Sequence, residues 1–204
     1  MNKLFLDIET LPASEEQRGN LKILFEKQKK KLKGCTDFEK YISLTSFDGC
    51  FGQILCIGYA LNNEPAQILC NDKNEKETLG QFWNLAKNAD LFIGHNVMDF
   101  DLRFIYQRSS VLGVRPTKEM SFARYRNFPI FDTMKEWAKW GKGDLGLEYV
   151  ALALGIPTPK KGIDGSQVSE FYKKGKLDEI LEYCKRDVET TRAIYKRIVF
   201  EDLT

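Results

Sequence analysis

The sequence predicts an α/β fold with a mixed central sheet. Two strand-like runs, residues 53–61 and 66–70, are separated by a short polar turn and indicate an antiparallel hairpin. After the hairpin, helix-like and strand-like segments alternate, as they do in domains with parallel strand pairs. A hairpin followed by this alternation therefore indicates that antiparallel and parallel pairs share one sheet.

The first strand is predicted at residues 3–10, where an apolar run begins near the start of the chain. A stretch rich in Glu, Gln and Lys follows at residues 14–38, and its apolar positions recur at roughly helical spacing. We interpret it as part of a helical insertion at about residues 13–45. Its lysine-rich run, residues 27–33, has two interpretations: a patch that follows a nucleic-acid backbone or, as favoured here, a solvated helix face.

The other elements follow in order along the chain. Beyond the hairpin, the patterns predict a helix at about residues 75–87, a strand that ends at His95 and Asn96, a helix at about residues 100–107 and a short strand at residues 129–131. The remainder is mostly helical. Its last segment, from Leu177 to Ile198, has apolar residues at helical spacing.

Four acidic residues and a tyrosine fall at informative positions in these elements. Asp7 and Glu9 close the first strand, and their spacing of two points both carboxylates to the same face. Asp101 lies where the fourth strand gives way to a helix. Tyr183 and Asp187 are four residues apart in the last helical segment, so they are neighbours on one helix face.

Such a set of carboxylates indicates a metal site. Each carboxylate in a cleft raises the cost of ionising the others unless a cation neutralises them. Hard divalent cations with oxygen ligands meet this need. Two Mg²⁺ or Mn²⁺ ions roughly 4 Å apart can stabilise the attacking and leaving oxygens of a phosphoryl displacement. Hydrolysis of phosphodiester bonds is therefore the leading expectation.

Three short motifs carry a resemblance to a known superfamily. Residues 7–10 (Asp-Ile-Glu-Thr), 96–101 (Asn-Val-Met-Asp-Phe-Asp) and 183–187 (Tyr-Cys-Lys-Arg-Asp) resemble the exonuclease motifs of the DEDD superfamily in its tyrosine (DEDDy) branch. The chain is most similar to stand-alone predicted 3'-5' exonucleases related to the proofreading domain of family B DNA polymerases. The likeness covers almost everything except about residues 13–45. It implies a ribonuclease H-like fold with a mixed five-stranded sheet, an antiparallel strand 2 and the first motif on the central strand.

The resemblance also implies a role for each motif residue. Asp7, Glu9 and Asp187 would hold the metal that activates water, and Asp7 would bridge to a second metal on which Asp101 acts. Tyr183 would orient the attacking water. The residue pattern alone leaves Asp99 and Asp101 as alternatives for the second motif, and the resemblance selects Asp101; Asp99 is then expected to be a helix N-cap or a neighbour of the substrate.

Further residues are expected to contact the substrate. The resemblance implies this role for residues of the first two motifs and their neighbours: Thr10, Leu11, His95, Asn96 and Phe100. For His95 we favour a structural or substrate-contact role over proton transfer.

Two other segments have alternative interpretations. The aromatic residues Phe122, Tyr125, Phe128 and Phe131, interleaved with Arg124 and Arg126, can stack on unpaired bases, although core packing explains Phe131 equally well. The glycine-rich segment 160–166 either meets a phosphate or is a turn capped by Ser166.

Composition sets the broad class. With 204 residues, of which 43% are hydrophobic, the chain suits one globular domain, expected at residues 1–204. The net charge of +2 implies that nucleic acid would be bound by local patches and metals instead of a global basic field. Five cysteines without a Cys-x-x-Cys pair argue against a disulfide framework and a zinc site. No run is long enough to cross a membrane, so a cytoplasmic protein without a membrane partner is expected.

The function expected from the sequence is a metal-dependent 3'-5' exonuclease. It would act on single-stranded or frayed 3' ends by a two-metal-ion mechanism and release nucleoside 5'-monophosphates. DNA is favoured over RNA on the resemblance alone. A 3'-5' exoribonuclease and an inactive nucleic-acid-binding module are the alternatives, and a DNA polymerase or repair partner is left open.

Overall fold

The computed structural model describes residues 1–28, 37–143, 145–158 and 163–201. In these residues five strands form one sheet: β1 (Lys3–Leu11), β2 (Gln53–Leu61), β3 (Gln67–Leu69), β4 (Leu91–Gly94) and β5 (Ile130–Asp132). The strand order is β3-β2-β1-β4-β5. β2 is antiparallel to β1 and β3, whereas β4 is parallel to β1 and β5. The predicted mixed sheet with an antiparallel second strand and a central first strand is confirmed.

Helices cover the sheet. They are α1 (Arg18–Gln28), α2 (Phe38–Leu44), α3 (Glu75–Ala86), α4 (Asp101–Leu112), α5 (Thr133–Trp137), α6 (Leu147–Ala153), α7 (Val168–Lys173) and α8 (Leu177–Ile198). Among the described residues, none of these helices combines the length and the apolar character needed to span a membrane.

Side chains of β1 alternate between two layers. Leu4, Leu6 and Ile8 are buried in the core formed with α3 and α4. Phe5 belongs to a second core on the other face, where its ring meets that of Tyr195 from α8 at 5.5 Å. Because successive side chains of a strand point to opposite faces, Asp7 and Glu9 share the α8 side with Phe5. The central strand therefore presents its two carboxylates to the longest helix.

In the segment predicted as one helical insertion, the described residues include the helices α1 and α2. α1 and α2 pack together through the rings of Phe25, Phe38 and Tyr41. Asp37 caps α2 by accepting a hydrogen bond from the backbone N–H of Glu39. Most of the predicted lysine-rich run, residues 27–33, lies outside the described residues, as do residues 160–162 of the glycine-rich segment.

One predicted helix boundary and one predicted cap residue were wrong. α4 continues to Leu112 because Ser109, which interrupts the apolar pattern, is buried and bonded: its Oγ accepts from Trp83 Nε1 at 2.8 Å and donates to the Ile105 carbonyl. The turn at residues 163–167 is capped by Asp164 instead of Ser166, whose backbone N–H donates to the Asp164 carboxylate.

Candidate metal-binding active site

Asp7 and Glu9 lie in the second half of β1. Glu9 is buried, with 6% of its surface exposed, and Asp7 is half-buried. The pairing of β1 with β2 shifts register between Glu9 and Thr10. Such irregularities bend a strand and re-aim its side chains, and they are common beside active sites. The irregularity here lies at the end of the predicted first motif.

Asp101 is the first residue of α4 and is 3% exposed. Its Oδ1 accepts a hydrogen bond of 3.0 Å from the backbone N–H of Ile8. This bond connects residues 93 positions apart in the sequence and holds the start of α4 against the strand that carries Asp7 and Glu9. The second predicted motif therefore lies directly beside the first.

Asp99 does not cap this helix, so the N-cap expectation was wrong. Phe100 occupies the cap position and provides no side-chain bond. The Asp99 carboxylate instead lies 3.2 Å from Lys135 Nζ and 3.7 Å from a guanidinium nitrogen of each of Arg103 and Arg124. Because three cations surround it, Asp99 is a charge-paired residue at the surface.

Helix α8 brings the third motif to the same place. Cys184 Sγ is 3.7 Å from Asp7 Oδ2, and ligand atoms of Asp7, Glu9 and Cys184 all lie within 4.8 Å of one another. Tyr183 and Asp187 are half-buried neighbours on this helix, and the negative charge of Asp187 raises the pKa of the Tyr183 phenol. Cys184 was not predicted as a site residue, because in the sequence it reads only as one position of the apolar stripe.

Burial makes these carboxyl groups difficult to ionise. It raises the pKa of Asp101 to about 7 and that of Asp187 to about 6, although contact with Tyr183 and the nearby Arg186 oppose the effect at Asp187. Burial also raises the pKa of Asp7 and Glu9, and the neighbouring carboxylates raise it further.

Arg186 offsets part of this cost at Asp187, through its nearby charge. None of the ion pairs that the described residues form with one another involves Asp7, Glu9, Asp101 or Asp187. Clustered oxygen donors without ion-pair partners suit a hard divalent cation. The donor set therefore fits the metal chemistry predicted from the sequence.

The Tyr183 hydroxyl stays protonated. Burial raises its pKa well above the ordinary value for tyrosine, and the negative charges of Asp187 and Glu9 raise it further. The guanidinium of Arg186 lies over the ring, 5.9 Å from its centroid. A protonated phenol beside Asp187 can donate a hydrogen bond to an oxygen in the site.

His95 is held by two hydrogen bonds. Nε2 lies 2.7 Å from the Leu145 carbonyl oxygen and Nδ1 lies 2.9 Å from Thr133 Oγ1. A carbonyl only accepts, so Nε2 carries a proton, whereas the one proton of the Thr133 hydroxyl can go either to Nδ1 or to the Gly94 carbonyl, 3.1 Å away. Burial lowers the pKa of His95, which favours a neutral ring. Both ring nitrogens therefore have partners within the protein in this conformation.

Asp132 organises the loop that precedes Asp101, and sequence reasoning missed it. Its carboxylate accepts from the backbone N–H groups of Asn96 and Met98 at 3.0 and 3.1 Å, and from those of Met134 and Lys135 at the start of α5. Asn96 has a left-handed backbone, with φ of 61°. An Asp at the end of a strand, followed by a helix, is an N-cap signal that identifies this residue in the sequence.

The other predicted substrate contacts lie around the carboxylates. Thr10 Oγ1 donates to the Ser46 carbonyl at 2.7 Å. Leu11 packs against the small core of Leu55 and Ile163. Phe100 is half-buried, and its ring centroid is 6.4 Å from that of the exposed Phe47. Phe47 was not predicted as a site residue.

The aromatic residues of segment 122–131 differ in burial. Phe122 is half-buried, with its ring centroid 5.7 Å from that of Tyr106. Phe131 is buried against Tyr195, at 4.8 Å between centroids, so core packing accounts for it. Tyr125 and Phe128 are 76% and 59% exposed, and Tyr125 lies against Trp140 at 5.4 Å. Exposed rings of this kind can stack on unpaired bases.

Comparison with known proteins shows the family. Residues 64–202 match a family described as "Predicted 3'-5' exonuclease related to the exonuclease domain of PolB". The chain belongs to this exonuclease family. The matched region includes Asp101, Tyr183 and Asp187, whereas Asp7 and Glu9 precede it. The structure connects Asp7 and Glu9 with the matched region, because it places β1 beside the matched residues.

Two archaeal proteins are similar to this chain, one in sequence and one in fold. An uncharacterized protein of Methanocaldococcus jannaschii is 27% identical over 169 residues, which cover 78% of this chain and 92% of the relative. The family B DNA polymerase of the hyperthermophilic archaeon Pyrobaculum calidifontis has a similar fold, with a TM-score of 0.65 and 15% identity over 98% of this chain. The chain spans only 24% of that polymerase. The fold is thus ribonuclease H-like, as predicted.

Proposed function

We propose that this chain is a metal-dependent 3'-5' exonuclease that removes nucleoside 5'-monophosphates from single-stranded or frayed DNA ends. One observation carries the proposal. Asp7, Glu9, Asp101 and Asp187 come from three distant parts of the chain and converge on one site, and none of them forms an ion pair with the other described residues. A fold that gathers carboxylates at this cost is expected to use them to hold cations.

The residues have distinct tasks in this proposal. Asp7, Glu9 and Asp187 would hold one divalent ion, Mg²⁺ or Mn²⁺, and Asp101 together with Asp7 would hold a second. The chemistry that such ions supply when bound is activation of a water molecule and neutralisation of charge on the phosphate. Tyr183 keeps its proton on the phenol oxygen and donates it in a hydrogen bond, which orients the attacking water.

The proposed substrate is a nucleic-acid 3' end. Exposed rings at Tyr125 and Phe128 support binding of unpaired bases, because stacking on aromatic side chains tolerates any sequence. The relation of the family to a polymerase exonuclease domain supports DNA. RNA carries the same phosphodiester bond, so discrimination would require contacts to the 2'-hydroxyl.

A ladder experiment tests the proposal. Single-stranded DNA and RNA with 5' labels are incubated with the protein and Mg²⁺, Mn²⁺ or EDTA. We expect DNA shortened in single-nucleotide steps with either metal and intact DNA with EDTA. Asp187→Asn should abolish shortening, because it removes a charged ligand while keeping the shape of the side chain.

Asp178→Asn is the matched control. Asp178 is exposed on the first turn of the same helix, so the same chemical change there should leave the rate near that of the wild type. Faster shortening of RNA than of DNA would change the assigned substrate. Intact DNA and RNA under all conditions would overturn the exonuclease and favour a binding module.

A further inference from the structure

A cavity of about 370 Å³ opens beside the third motif. Tyr183, Arg186 and Asp187 line one side of it, from α8. Thr158 lines another side, from the segment that follows α6. Space for a small ligand therefore adjoins the carboxylate that is proposed to hold the metal.

Two buried polar atoms at this cavity lack a partner. Thr158 Oγ1 and Arg186 Nε are inaccessible to solvent, and neither has a hydrogen-bond partner among the described residues. Buried polar groups in proteins are almost always bonded, since an unmade bond is costly. Two such atoms from separate segments at one cavity indicate that a ligand completes their bonding.

Arg186 also differs from its neighbours on α8. Lys185 lies 2.7 Å from Glu182, and Arg192 pairs with Glu189. Arg186 lies over the Tyr183 ring and its charge acts on the nearby Asp187, but it forms no ion pair of this kind with the described residues. A guanidinium has only donors, and its planar fork fits the oxygens of a phosphate. Thr158 adds a hydroxyl donor.

We propose that Arg186 and Thr158 form a phosphate-binding subsite beside the carboxylates. The phosphate belongs either to the nucleic-acid backbone or to the released nucleotide, and this identification of the ligand rests on the proposed exonuclease function. Glu148 and Asp164 also line the cavity, but both are exposed, so water and salt screen their repulsion of an anion.

The subsite acts on binding more than on the chemical step. Arg186 is therefore expected to affect the affinity for substrate and product, whereas Tyr183 affects turnover. The affinity for a nucleoside, which has no phosphate, should not depend on Arg186.

Calorimetric titration of deoxyadenosine 5'-monophosphate and of deoxyadenosine, in the presence of Mg²⁺, tests the proposal. We expect the monophosphate to bind more tightly than the nucleoside. Arg186→Gln should weaken binding of the monophosphate by about tenfold or more, as expected for loss of a charged hydrogen bond. Thr158→Val should weaken this binding several-fold. Lys185→Gln, which removes one charge from the adjacent position, should leave the affinity unchanged.

Stability measurements separate ligand binding from a structural role. Thr158→Val removes an unpaired buried hydroxyl, so its thermal midpoint should equal or exceed that of the wild type. Arg186→Lys keeps the charge but loses the planar fork, and it should be folded yet weak in binding. A Thr158→Val protein that melts below the wild type would contradict the proposal.

A second titration distinguishes the two sources of phosphate. Single-stranded DNA with phosphorothioate linkages at its 3' end, which resist hydrolysis, is titrated into the same variants. If the variants lose affinity only for this DNA, the subsite binds the nucleic-acid backbone. If they lose affinity only for the monophosphate, the subsite binds the product. Unchanged affinity for both ligands in Arg186→Gln overturns the subsite.

The two proposals fail separately. If the wild-type protein shortens DNA but its ligand affinities do not depend on Arg186, only the subsite proposal fails. If it binds the monophosphate through Arg186 but leaves DNA intact, only the exonuclease proposal fails.

Discussion

Gly58 and Cys184 lie in direct contact across the boundary between the sheet and α8. A Cβ atom on Gly58 would be 2.8 Å from Cys184 Sγ and 2.9 Å from a methyl group of Val188. Gly58 is paired with Asp7 in the neighbouring strand. The absence of a side chain at Gly58 therefore lets the helix that carries Asp187 approach the strand that carries Asp7.

Gly58→Ala should displace α8. We expect the free energy of unfolding to fall by about 1–3 kcal/mol, the usual cost of overpacking a core, and the exonuclease rate to fall with it. Denaturant unfolding and the ladder assay measure the two effects. Gly80→Ala is the control: Gly80 is exposed in α3 with open space around it, so alanine there should stabilise by about 0.5–1 kcal/mol. Equal behaviour of the two variants would contradict the packing argument.

Asp101 has a structural role and a proposed chemical role that two substitutions separate. Asp101→Ala leaves the buried N–H of Ile8 without an acceptor and should cost about 1–3 kcal/mol. Asp101→Asn keeps an acceptor and should unfold near the wild-type denaturant midpoint. Neither variant should shorten DNA, because both lose the carboxylate. Full activity in Asp101→Asn would remove Asp101 from the metal site.

Tyr183→Phe keeps the ring under Arg186 and deletes only the hydroxyl. Turnover should fall by roughly 10²-fold, the lower end of the range for a positioned proton donor. Affinity for Mn²⁺, measured by calorimetry, should stay at the wild-type value. Tyr172→Phe is the control, since that hydroxyl lies at the surface, 3.5 Å from the exposed Asp72. An unchanged rate in Tyr183→Phe would limit this tyrosine to packing.

The raised pKa values predict a dependence of stability on pH. Burial raises the pKa of Asp101 to about 7 and of Asp187 to about 6, while the unfolded values are near 4. Below about pH 4 both carboxyl groups are protonated in the folded and in the unfolded state, so they make no contribution to the pH dependence of stability. Between about pH 4 and pH 7 the folded state keeps protons that the unfolded chain has lost, so stability of the metal-free protein falls as pH rises.

A divalent cation should reverse this loss, because it binds the ionised carboxylates. We expect Mg²⁺ to raise the thermal midpoint at pH 7.5 and to have little effect at pH 5, each compared with EDTA. The double variant Asp101→Asn with Asp187→Asn should show a smaller loss and a weaker rescue, because only Asp7 and Glu9 of the four carboxyl groups still titrate. The same shift with Mg²⁺ at both pH values would argue against binding by these carboxylates.

Regular patterns allowed much of the fold to be predicted. The alternation in β1 placed Asp7 and Glu9 on one face, and the helical spacing placed Tyr183 beside Asp187, because both periods are properties of the backbone. The residues that pack against those faces do not follow a periodic pattern in the sequence. The contact of Cys184 with Asp7 and the bonds from Asp132 to the Asn96 loop join residues far apart in sequence, and no local pattern encodes them.

Asp99 illustrates the same limit. Its position before a helix is typical of an N-cap, yet the surrounding cations Lys135 and Arg124 come from segments that only the folded chain brings near. Tertiary ion pairs outweigh the local preference at this residue. Thr158 and Arg186 likewise meet at one cavity that the sequence does not indicate.

The polarity of digestion tests the central claim most directly. One single-stranded DNA is labelled at its 5' end in one sample and at its 3' end in another, and both are incubated with the protein and Mn²⁺. We expect a descending ladder from the 5' label and, from the 3' label, immediate release of a labelled mononucleotide, with both signals absent in EDTA and in Asp187→Asn. Mononucleotide released first from the 5' label, or activity that survives in Asp187→Asn, would contradict a 3'-5' exonuclease built on these carboxylates.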